Sequence, residues 1–262
     1  YSPGNLMMPR GAIIDGNLNE VLDIDLGKQD EIQEYVTHSW YKYGDEQKGL
    51  HPFDGETVPN FDIGNAKGTR TKIEAVDESS KYSWVKAPRW NGHAMEVGPL
   101  ARYVIGYVKG IPEFKDPTDK VLQKLGGVPV TALFSTLGRT AARGLECSWA
   151  AHKLKDEFNK LVANIKAGDT ATANMDNFEP STWPKSAKGH GFVEAPRGAL
   201  CHWIDIEDKK IKNYQCVVPT TWNASPRDPA GKIGAYEAAL LDTPMHDPEQ
   251  PLEILRTIHS FD

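Results

Sequence analysis

The longest periodic stretch of this sequence runs from Thr136 to Lys166 and reads TLGRTAARGLECSWAAHKLKDEFNKLVANIK. Its apolar residues recur at intervals of three and four, the spacing that places side chains on one face of an α-helix. They are Leu137, Ala141, Leu145, Trp149, Leu154, Phe158, Leu161, Val162 and Ile165. Gly168 follows where a C-cap glycine would end the helix. A helix of this length is typical of the spine of a helical bundle, so the pattern predicts a mainly α protein.

Four further segments have a helical pattern. Gln29 to Tyr43 carries apolar residues at helical spacing after two acidic residues. Val97 to Lys109 follows a Gly-Pro entry, and Pro112 is expected to mark its end. Gly234 to Leu241 and Pro251 to Ser260 are predicted to be short helices.

Two segments predict small β-hairpins at the periphery of this bundle. Ala12 to Leu26 places Asp15-Gly16-Asn17 between two short apolar runs, which is a hairpin signal. Gly198 to Ile206 and Ile211 to Val218 are both extended in pattern and are separated by a polar turn. The fold class expected is therefore a helical bundle with small β-hairpins.

Composition excludes several classes of protein. The chain has 262 residues, with 30 Lys and Arg against 36 Asp and Glu, and a formal net charge of -6. No basic stripe is present that could neutralise a nucleic-acid backbone, so we expect no nucleic-acid partner. Apolar runs are shorter than the roughly 20 residues that a membrane-spanning helix needs, so no transmembrane segment is expected. Metalloprotease, Gly-rich phosphate-loop and serine-hydrolase motifs are also missing from the sequence.

Three cysteines, Cys147, Cys201 and Cys216, have no partner at Cys-x-x-Cys spacing. Local pairs therefore cannot build a zinc ribbon or an iron-sulfur cluster. We interpret all three as buried small hydrophobic residues.

A candidate binding segment places Arg197 between Pro196 and Gly198, so the backbone is stiff before the guanidinium and permissive after it. A guanidinium stays charged and offers a planar fork of donors, which suits an anionic or strongly polar ligand. Taken alone, this residue is interpreted first as part of a structural salt bridge, because ion pairs and surface contacts account for most arginines.

A second candidate is the end of the apolar strand at Val218-Pro219-Thr220-Thr221. The hydroxyl groups could face a ligand at the end of the strand, or they could bond to a local turn.

Other charged residues have open interpretations. Arg139 and Arg143 share one face of the long helix, where a structural role in the bundle competes with a contact to a cofactor or partner. Lys86 and Arg89 flank a proline and could form surface salt bridges. His259, near a helix end, is interpreted as a capping or packing residue.

Six strings of this sequence, in this order, resemble the large subunit of nickel-iron hydrogenases. They are residues 5–11 (NLMMPRG), 82–89 (YSWVKAPR), 97–102 (VGPLAR), 138–143 (GRTAAR), 194–198 (EAPRG) and 217–220 (VVPT). The resemblance runs through nearly the whole chain. It implies that residues 1–262 are the C-terminal portion of a single large-subunit domain, which we expect to belong to a longer polypeptide.

The resemblance also implies a cofactor and site residues. The family binds a nickel-iron centre, with carbon monoxide and cyanide on the iron, and it splits or forms dihydrogen. By resemblance, Arg197 reaches over the metals, and its guanidinium and the Thr220 hydroxyl donate hydrogen bonds to cyanide nitrogens. The remaining walls of the diatomic-ligand pocket are then Pro196, Leu200, Val218 and Pro219.

Two more positions match functional residues of the family. Asp262 matches the aspartate directly before the family's final Pro-Cys-x-x-Cys segment, where it is expected to pair with Arg197. Cys216 matches a main-chain carbonyl of a magnesium-type site. Both Cys-x-x-Cys segments of the family are missing here, so the thiolate ligands are expected to lie outside this chain.

The partners implied are an iron-sulfur small subunit, the remaining segments of the large subunit, and dihydrogen as substrate. The implied location is the periplasm, with membrane association through partners. An alternative is a non-catalytic superfamily member, similar to the complex I subunit that has lost the metals and lines a quinone channel.

Overall fold

The computed structural model describes residues 7–25, 28, 30–60, 63–64, 72–73 and 79–261. The strands are β1 Ile32–Tyr35, β2 Tyr41–Lys42, β3 Val58–Pro59, β4 Ile63–Gly64, β5 Lys72–Ile73, β6 Ala87–Trp90, β7 Ala187–Ala195, β8 Gly198–Glu207 and β9 Lys210–Val217. The α-helices are α1 Pro99–Val108, α2 Pro112–Lys124, α3 Thr136–Lys166, α4 Pro219–Asn223, α5 Ala235–Leu240 and α6 Leu252–His259. Short 3-10 turns span Val130–Leu133 and Pro180–Thr182.

Helix α3 has the bounds that its periodicity predicts. The Ser135 hydroxyl accepts a hydrogen bond from the Gly138 N–H at 3.0 Å and so caps the first turn. At the other end Gly168 has a φ of 88°, a conformation that glycine adopts without strain and that stops the helix.

The other helices match the expected segments closely, with two additions, α2 and α4. α1, α5 and α6 lie within the segments predicted for them. The sequence pattern does not predict helix α2, because Pro112 indicates only the end of the preceding helix. Pro112 stands instead in the first turn of α2, where a missing N–H costs no hydrogen bond.

The helix predicted over 29–43 is wrong. This segment contains strand β1, which pairs antiparallel with β6, and the two-residue strand β2. Ile32, Glu34 and Val36 are buried while the residues between them are less so, and this alternation is that of a strand. The apolar residues of this segment fit a helical spacing as well as the alternation of a strand, and the structure follows the alternation.

The first hairpin is reduced to a single bridge between Ala12 and Leu22 around the turn at Asp15 and Gly16. The second belongs to a three-stranded antiparallel meander in the order β7-β8-β9. Its β8–β9 turn uses Asp208 and Lys209 with φ of 49° and 62°. The prediction of small β elements around a helical body is confirmed, with a larger sheet than expected.

Two apolar clusters form the core. One lies against the inner face of the meander and includes Ile32, Trp90, Trp203, Val217 and Trp222. The other joins α1, α2 and the first half of α3. It comprises Leu100, Tyr103, Val104, Phe114, Leu122, Leu133 and Ala142.

The second half of α3 makes little use of its apolar stripe. Leu154, Phe158, Leu161 and Ile165 are 74%, 62%, 54% and 52% exposed. Within the described ranges, no helix combines the length and the apolarity that crossing a bilayer requires.

Candidate functional site

The Pro196–Arg197 turn joins β7 to β8 and packs against the entry of α1. Gly198 has a φ of 133°, and a Cβ there would lie 2.6 Å from Val97 Cγ2 and 2.7 Å from the Gly98 nitrogen. Gly98 has a φ of 129°, and its Cβ would lie 2.9 Å from the Arg197 carbonyl oxygen. Both positions therefore require glycine, and the two backbones touch without intervening side chains. Pro196 and Arg197 are exposed on this turn.

Arg102 of α1 holds the strand that leads into this turn. Its Nη1 donates to Glu194 Oε2 at 2.5 Å and to the Ala195 carbonyl at 3.1 Å, and its Nη2 donates to the Pro196 carbonyl at 3.0 Å. Glu146 of α3 accepts from Nε at 2.8 Å and from Nη2 at 2.5 Å. Burial opposes the charge on Arg102, yet the hydrogen bonds and charges of the two carboxylates outweigh it and raise the pKa of the guanidinium.

The Val-Pro-Thr segment begins helix α4 and is not the simple strand terminus that its sequence indicated. Val218 precedes the helix, and Pro219 is its first residue. Val218 is 37% exposed, Thr220 is exposed and Pro219 is buried. Asn223, at the end of α4, accepts from the Val97 N–H at 2.9 Å and donates to the Val97 carbonyl at 2.9 Å.

These contacts give the two candidate segments one common support. The Val97–Gly98 backbone touches the Arg197–Gly198 turn on one side and is hydrogen-bonded to α4 through Asn223 on another. Neither Arg102 nor Asn223 could be recognised as a support from the sequence, because their partners lie far away along the chain. Arg102 did fall within one of the six matching strings, which was the available signal.

Asp262 lies outside the described residues, so its expected pairing with Arg197 is not described. The residue before it, Phe261, is buried beneath the guanidinium of Arg139, with 4.0 Å from the Arg139 Cζ to the ring centroid. Arg139 also forms a two-point salt bridge with Glu96, at 2.7 and 2.8 Å. Arg143 donates to the Ser260 carbonyl at 2.9 Å. Arg139 and Arg143, for which the sequence allowed either a structural role or a contact to a cofactor or partner, thus hold residues 260 and 261 in place.

The positive charge of Arg197 also acts on residues near Phe261 and Ser260. Burial raises the pKa of Tyr236, and the positive charge of Arg197 opposes this rise. Burial also lowers the pKa of Arg143, with Arg197 adding to the effect. The Tyr236 ring lies 4.8 Å from that of Phe261, centroid to centroid. Arg197 therefore lies close enough to influence groups that pack around the chain end.

A cavity of about 650 Å³ lies behind the turn. Its lining is mostly apolar and includes Met95, Leu100, Phe192, Leu200 and Trp222. Leu200, one of the predicted wall residues, lines this cavity. The described residues that line this cavity do not include Pro196, Arg197 or the Val218–Thr220 segment.

The prediction that all three cysteines are buried is wrong for two of them. Cys201 is buried, and burial raises the pKa of its thiol, but Cys147 and Cys216 are exposed. Among the described residues, no group of three or more His, Cys, Asp and Glu side chains could hold a metal ion. The described part of the chain therefore does not by itself supply a set of side-chain ligands for a metal centre. What it offers is a pair of exposed donor side chains, Arg197 and Thr220, on jointly supported segments.

Lys86 and Arg89, expected as possible surface salt bridges, are buried. Arg89 donates from Nε to Asp228 Oδ2 at 2.7 Å and fastens the 225–232 loop. Lys86 lies 3.6 Å from the buried Glu34 carboxylate and donates to Gln215 Oε1 at 3.0 Å. Burial raises the pKa of Glu34 and lowers the pKa of Lys86.

The Tyr43 hydroxyl is buried beside this pair and has no hydrogen-bond partner among the described residues. This polar cluster was missed because Glu34 had been assigned to a helix. The alternation of Ile32, Glu34 and Val36 was the signal that could have found it.

A family model described as nickel-dependent hydrogenase matches residues 1–262. The chain is 67% identical over 263 residues to the uptake hydrogenase large subunit of Rhizobium leguminosarum bv. viciae, covering 100% of this chain and 44% of that protein. It is 54% identical to the uptake hydrogenase large subunit of Cupriavidus necator, covering 100% of this chain and 46% of that one.

Solved structures agree with this match. The structure is similar to the [NiFeSe]-hydrogenase of Dm. baculatum, with a TM-score of 0.74, 32% identity, and coverage of 98% of this chain and 47% of that one. It is also similar to the Ni-Fe-Se hydrogenase of D. vulgaris Hildenborough, with a TM-score of 0.71, 33% identity, and coverage of 92% and 45%. The chain thus spans less than half the length of these relatives. On the whole-length family match and these identities, the chain belongs to the nickel-dependent hydrogenase family.

Proposed function

We propose that this chain is part of the catalytic large subunit of a nickel-iron hydrogenase, which oxidises dihydrogen reversibly to protons and electrons. Its relatives in Rhizobium leguminosarum and Cupriavidus necator are uptake hydrogenase large subunits, and the identity extends over the whole of this chain. We further propose that residues 1–262 form the C-terminal portion of a single large-subunit domain. Because this chain spans 44% of the first relative, the activity belongs to the longer protein.

Within that protein the chain supplies a surface that faces the metals. A nickel-iron centre with carbon monoxide and cyanide ligands, when bound, supplies the redox chemistry, and its thiolates come from outside this chain. With that centre bound, Arg197 and Thr220 would donate hydrogen bonds to the cyanide nitrogens, and Pro196, Leu200, Val218 and Pro219 would provide apolar walls. The observation that carries this proposal is the common support at Val97–Gly98, which touches the arginine turn and is bonded to α4.

We place Asp262 opposite Arg197 as its ion-pair partner. The packing of Phe261 against Arg139 and Tyr236, together with the influence of Arg197 on Tyr236, supports this pairing. A carboxylate there would fix the guanidinium through a charge-assisted hydrogen bond.

The Cys216 main-chain carbonyl is a candidate oxygen ligand for magnesium. Magnesium prefers oxygen donors and keeps several waters, so a single protein ligand from this chain is compatible with it.

The partner follows from the description of the relatives as large subunits. We propose an iron-sulfur small subunit that carries the electrons, together with the remaining segments of the large subunit. The proposed location is the periplasm, with attachment to the membrane through partners.

Metal analysis of the full-length, matured protein tests this proposal against the quinone-channel alternative. The large subunit, separated from its iron-sulfur partner, is expected to contain nickel and iron in equal amounts, and the assembled enzyme to reduce an artificial electron acceptor under dihydrogen. Properly matured protein without nickel would overturn the proposal and favour the non-catalytic superfamily member.

A further inference from the structure

We propose that Arg102 is a positioning residue, which fixes the place of the Arg197 guanidinium by holding the main-chain carbonyls directly before it. This inference rests on the proposed function of Arg197. Arg102 itself would touch neither substrate nor metal.

The geometry leaves Arg102 little freedom. A guanidinium has five N–H donors, and all five are used: Nε to Glu146, Nη1 to Glu194 and the Ala195 carbonyl, and Nη2 to Glu146 and the Pro196 carbonyl. These donors are coplanar, so the positions of the acceptors define the orientation of the group. A lysine ammonium, with three donors and no plane, cannot reach the same set of acceptors.

Burial makes the arrangement hard to replace with water. The Arg102 side chain is 4% exposed and that of Glu146 is 14% exposed. Arg102 comes from α1, Glu146 from α3 and the carbonyls from the end of β7, so one side chain fixes three elements to one another. Loss of the guanidinium would leave two carbonyls and two carboxylates without their donor.

The contact acts on Arg197 through a short, stiff stretch of chain. Ala195 and Pro196 directly precede it, and the ring of Pro196 limits rotation of the backbone. On the other side, the Arg197 carbonyl abuts Gly98. The backbone of Arg197 is therefore held on its N-terminal side by Arg102 and on its C-terminal side by Gly98. Releasing either contact lets the turn move.

The test uses the full-length large subunit, matured and assembled with its small subunit. The variants are Arg102→Lys and the milder Glu146→Gln, which removes a charged acceptor but leaves the guanidinium. Lys153→Gln is the matched control. Lys153 lies on α3, as Glu146 does, and the substitution removes its ion pair with Glu113 of α2, away from the turn. Each protein is measured for nickel and iron content, kcat and KM for dihydrogen, and the infrared stretching bands of the cyanide ligands.

We expect Arg102→Lys to keep its metals, to shift the cyanide bands, and to lower kcat by about 10²-fold with little change in KM, since a small misplacement of a catalytic group has an effect of that order. Glu146→Gln should shift the bands in the same direction but less. The Lys153→Gln control should have the cyanide bands and the kcat of the wild type. Unchanged cyanide bands and kcat in metal-loaded Arg102→Lys would overturn the inference.

Where Arg102→Lys does not mature, Glu146→Gln decides the question, and unchanged bands in that variant also overturn the inference. Arg197→Lys separates this inference from the function on which it rests. If Arg197→Lys shifts the bands and the Arg102 and Glu146 variants do not, the inference fails alone. If Arg197→Lys itself has wild-type bands and kcat, the proposed role of Arg197 fails first.

Discussion

The side-chain amide of Asn223 closes a ring of two hydrogen bonds with the main chain of Val97: it accepts from the N–H at 2.9 Å and donates to the carbonyl at 2.9 Å. Asn223 is 1% exposed. This contact joins helix α4, which begins with the Val-Pro-Thr segment, to the loop that supports the arginine turn. Together with the pairing of β8 and β9, this buried amide fixes the placement of α4 relative to the arginine turn.

Asn223→Ala is expected to destabilise the protein by about 1–3 kcal/mol, because it leaves two partly buried backbone groups of Val97 without their partner. The measurement is urea denaturation of the full-length subunit, followed by fluorescence. Asn19→Ala, at an exposed position, is the control and should change stability by less than about 0.5 kcal/mol. Equal stability of the two variants would show that the amide bridge contributes nothing.

Gly198→Ala is expected to destabilise the protein by at least about 1–3 kcal/mol, the cost of a strained backbone conformation. The added Cβ would also lie 2.7 Å from the Gly98 nitrogen, so the turn would have to move away from α1.

Gly144→Ala is the matched control for this substitution. Gly144 lies inside α3, and a Cβ there would meet no atom within 4 Å. Alanine at a helical position of this kind should stabilise the protein by about 0.5–1 kcal/mol. The two glycine variants are therefore expected to move the urea midpoint in opposite directions. A Gly198→Ala protein as stable as the wild type would contradict the close approach of the two backbones.

Lys86→Met is expected to destabilise the protein by about 3–5 kcal/mol at neutral pH, because the buried Glu34 carboxylate loses its cation. Burial already raises the pKa of Glu34, and Lys86 opposes that rise, so the substitution should raise this pKa further. A carboxyl whose pKa is raised on folding stabilises the folded state below the unfolded pKa. This stabilisation is lost as the pH rises through the folded pKa.

Urea denaturation of the Lys86→Met protein between pH 5 and 8 should therefore show stability that falls as the pH rises. Adding Glu34→Gln should recover part of the stability and remove this pH dependence. A Lys86→Met protein with the pH profile of the wild type would mean that Glu34 and Lys86 do not interact as the 3.6 Å separation indicates.

Local patterns predicted the elements that carry their own signals. The bounds of α3 follow from its apolar period, the Ser135 cap and the glycine at 168. Helix α1 follows similarly from its Gly-Pro entry. The segment from Gln29 to Tyr43 failed because its apolar residues satisfy both a helical and an alternating pattern. The pairing of β1 with β6, more than 50 residues away, selected the strand.

The residues of the candidate site could be predicted from the sequence, but the contacts that hold them in place could not. The arginine turn and the Val-Pro-Thr segment are recognisable as strings. Arg102 meets carboxylates 44 and 92 residues away, and Asn223 meets Val97 126 residues away. No local spacing encodes such contacts. The start of α4 at Pro219 was also hidden, because a five-residue helix has too few residues to show a period.

The substitution Arg197→Lys in the full-length, matured enzyme tests the proposed role of this chain most directly. Lysine keeps the charge but loses the planar fork, so hydrogen oxidation is expected to fall by about 10²–10³-fold, as when one preorganised donor is removed from a reacting centre. Arg227→Lys, at an exposed position outside the turn, is the control and should keep the wild-type rate. The result that the account predicts is a large loss of rate at unchanged nickel and iron content; wild-type hydrogen oxidation by metal-loaded Arg197→Lys would contradict it.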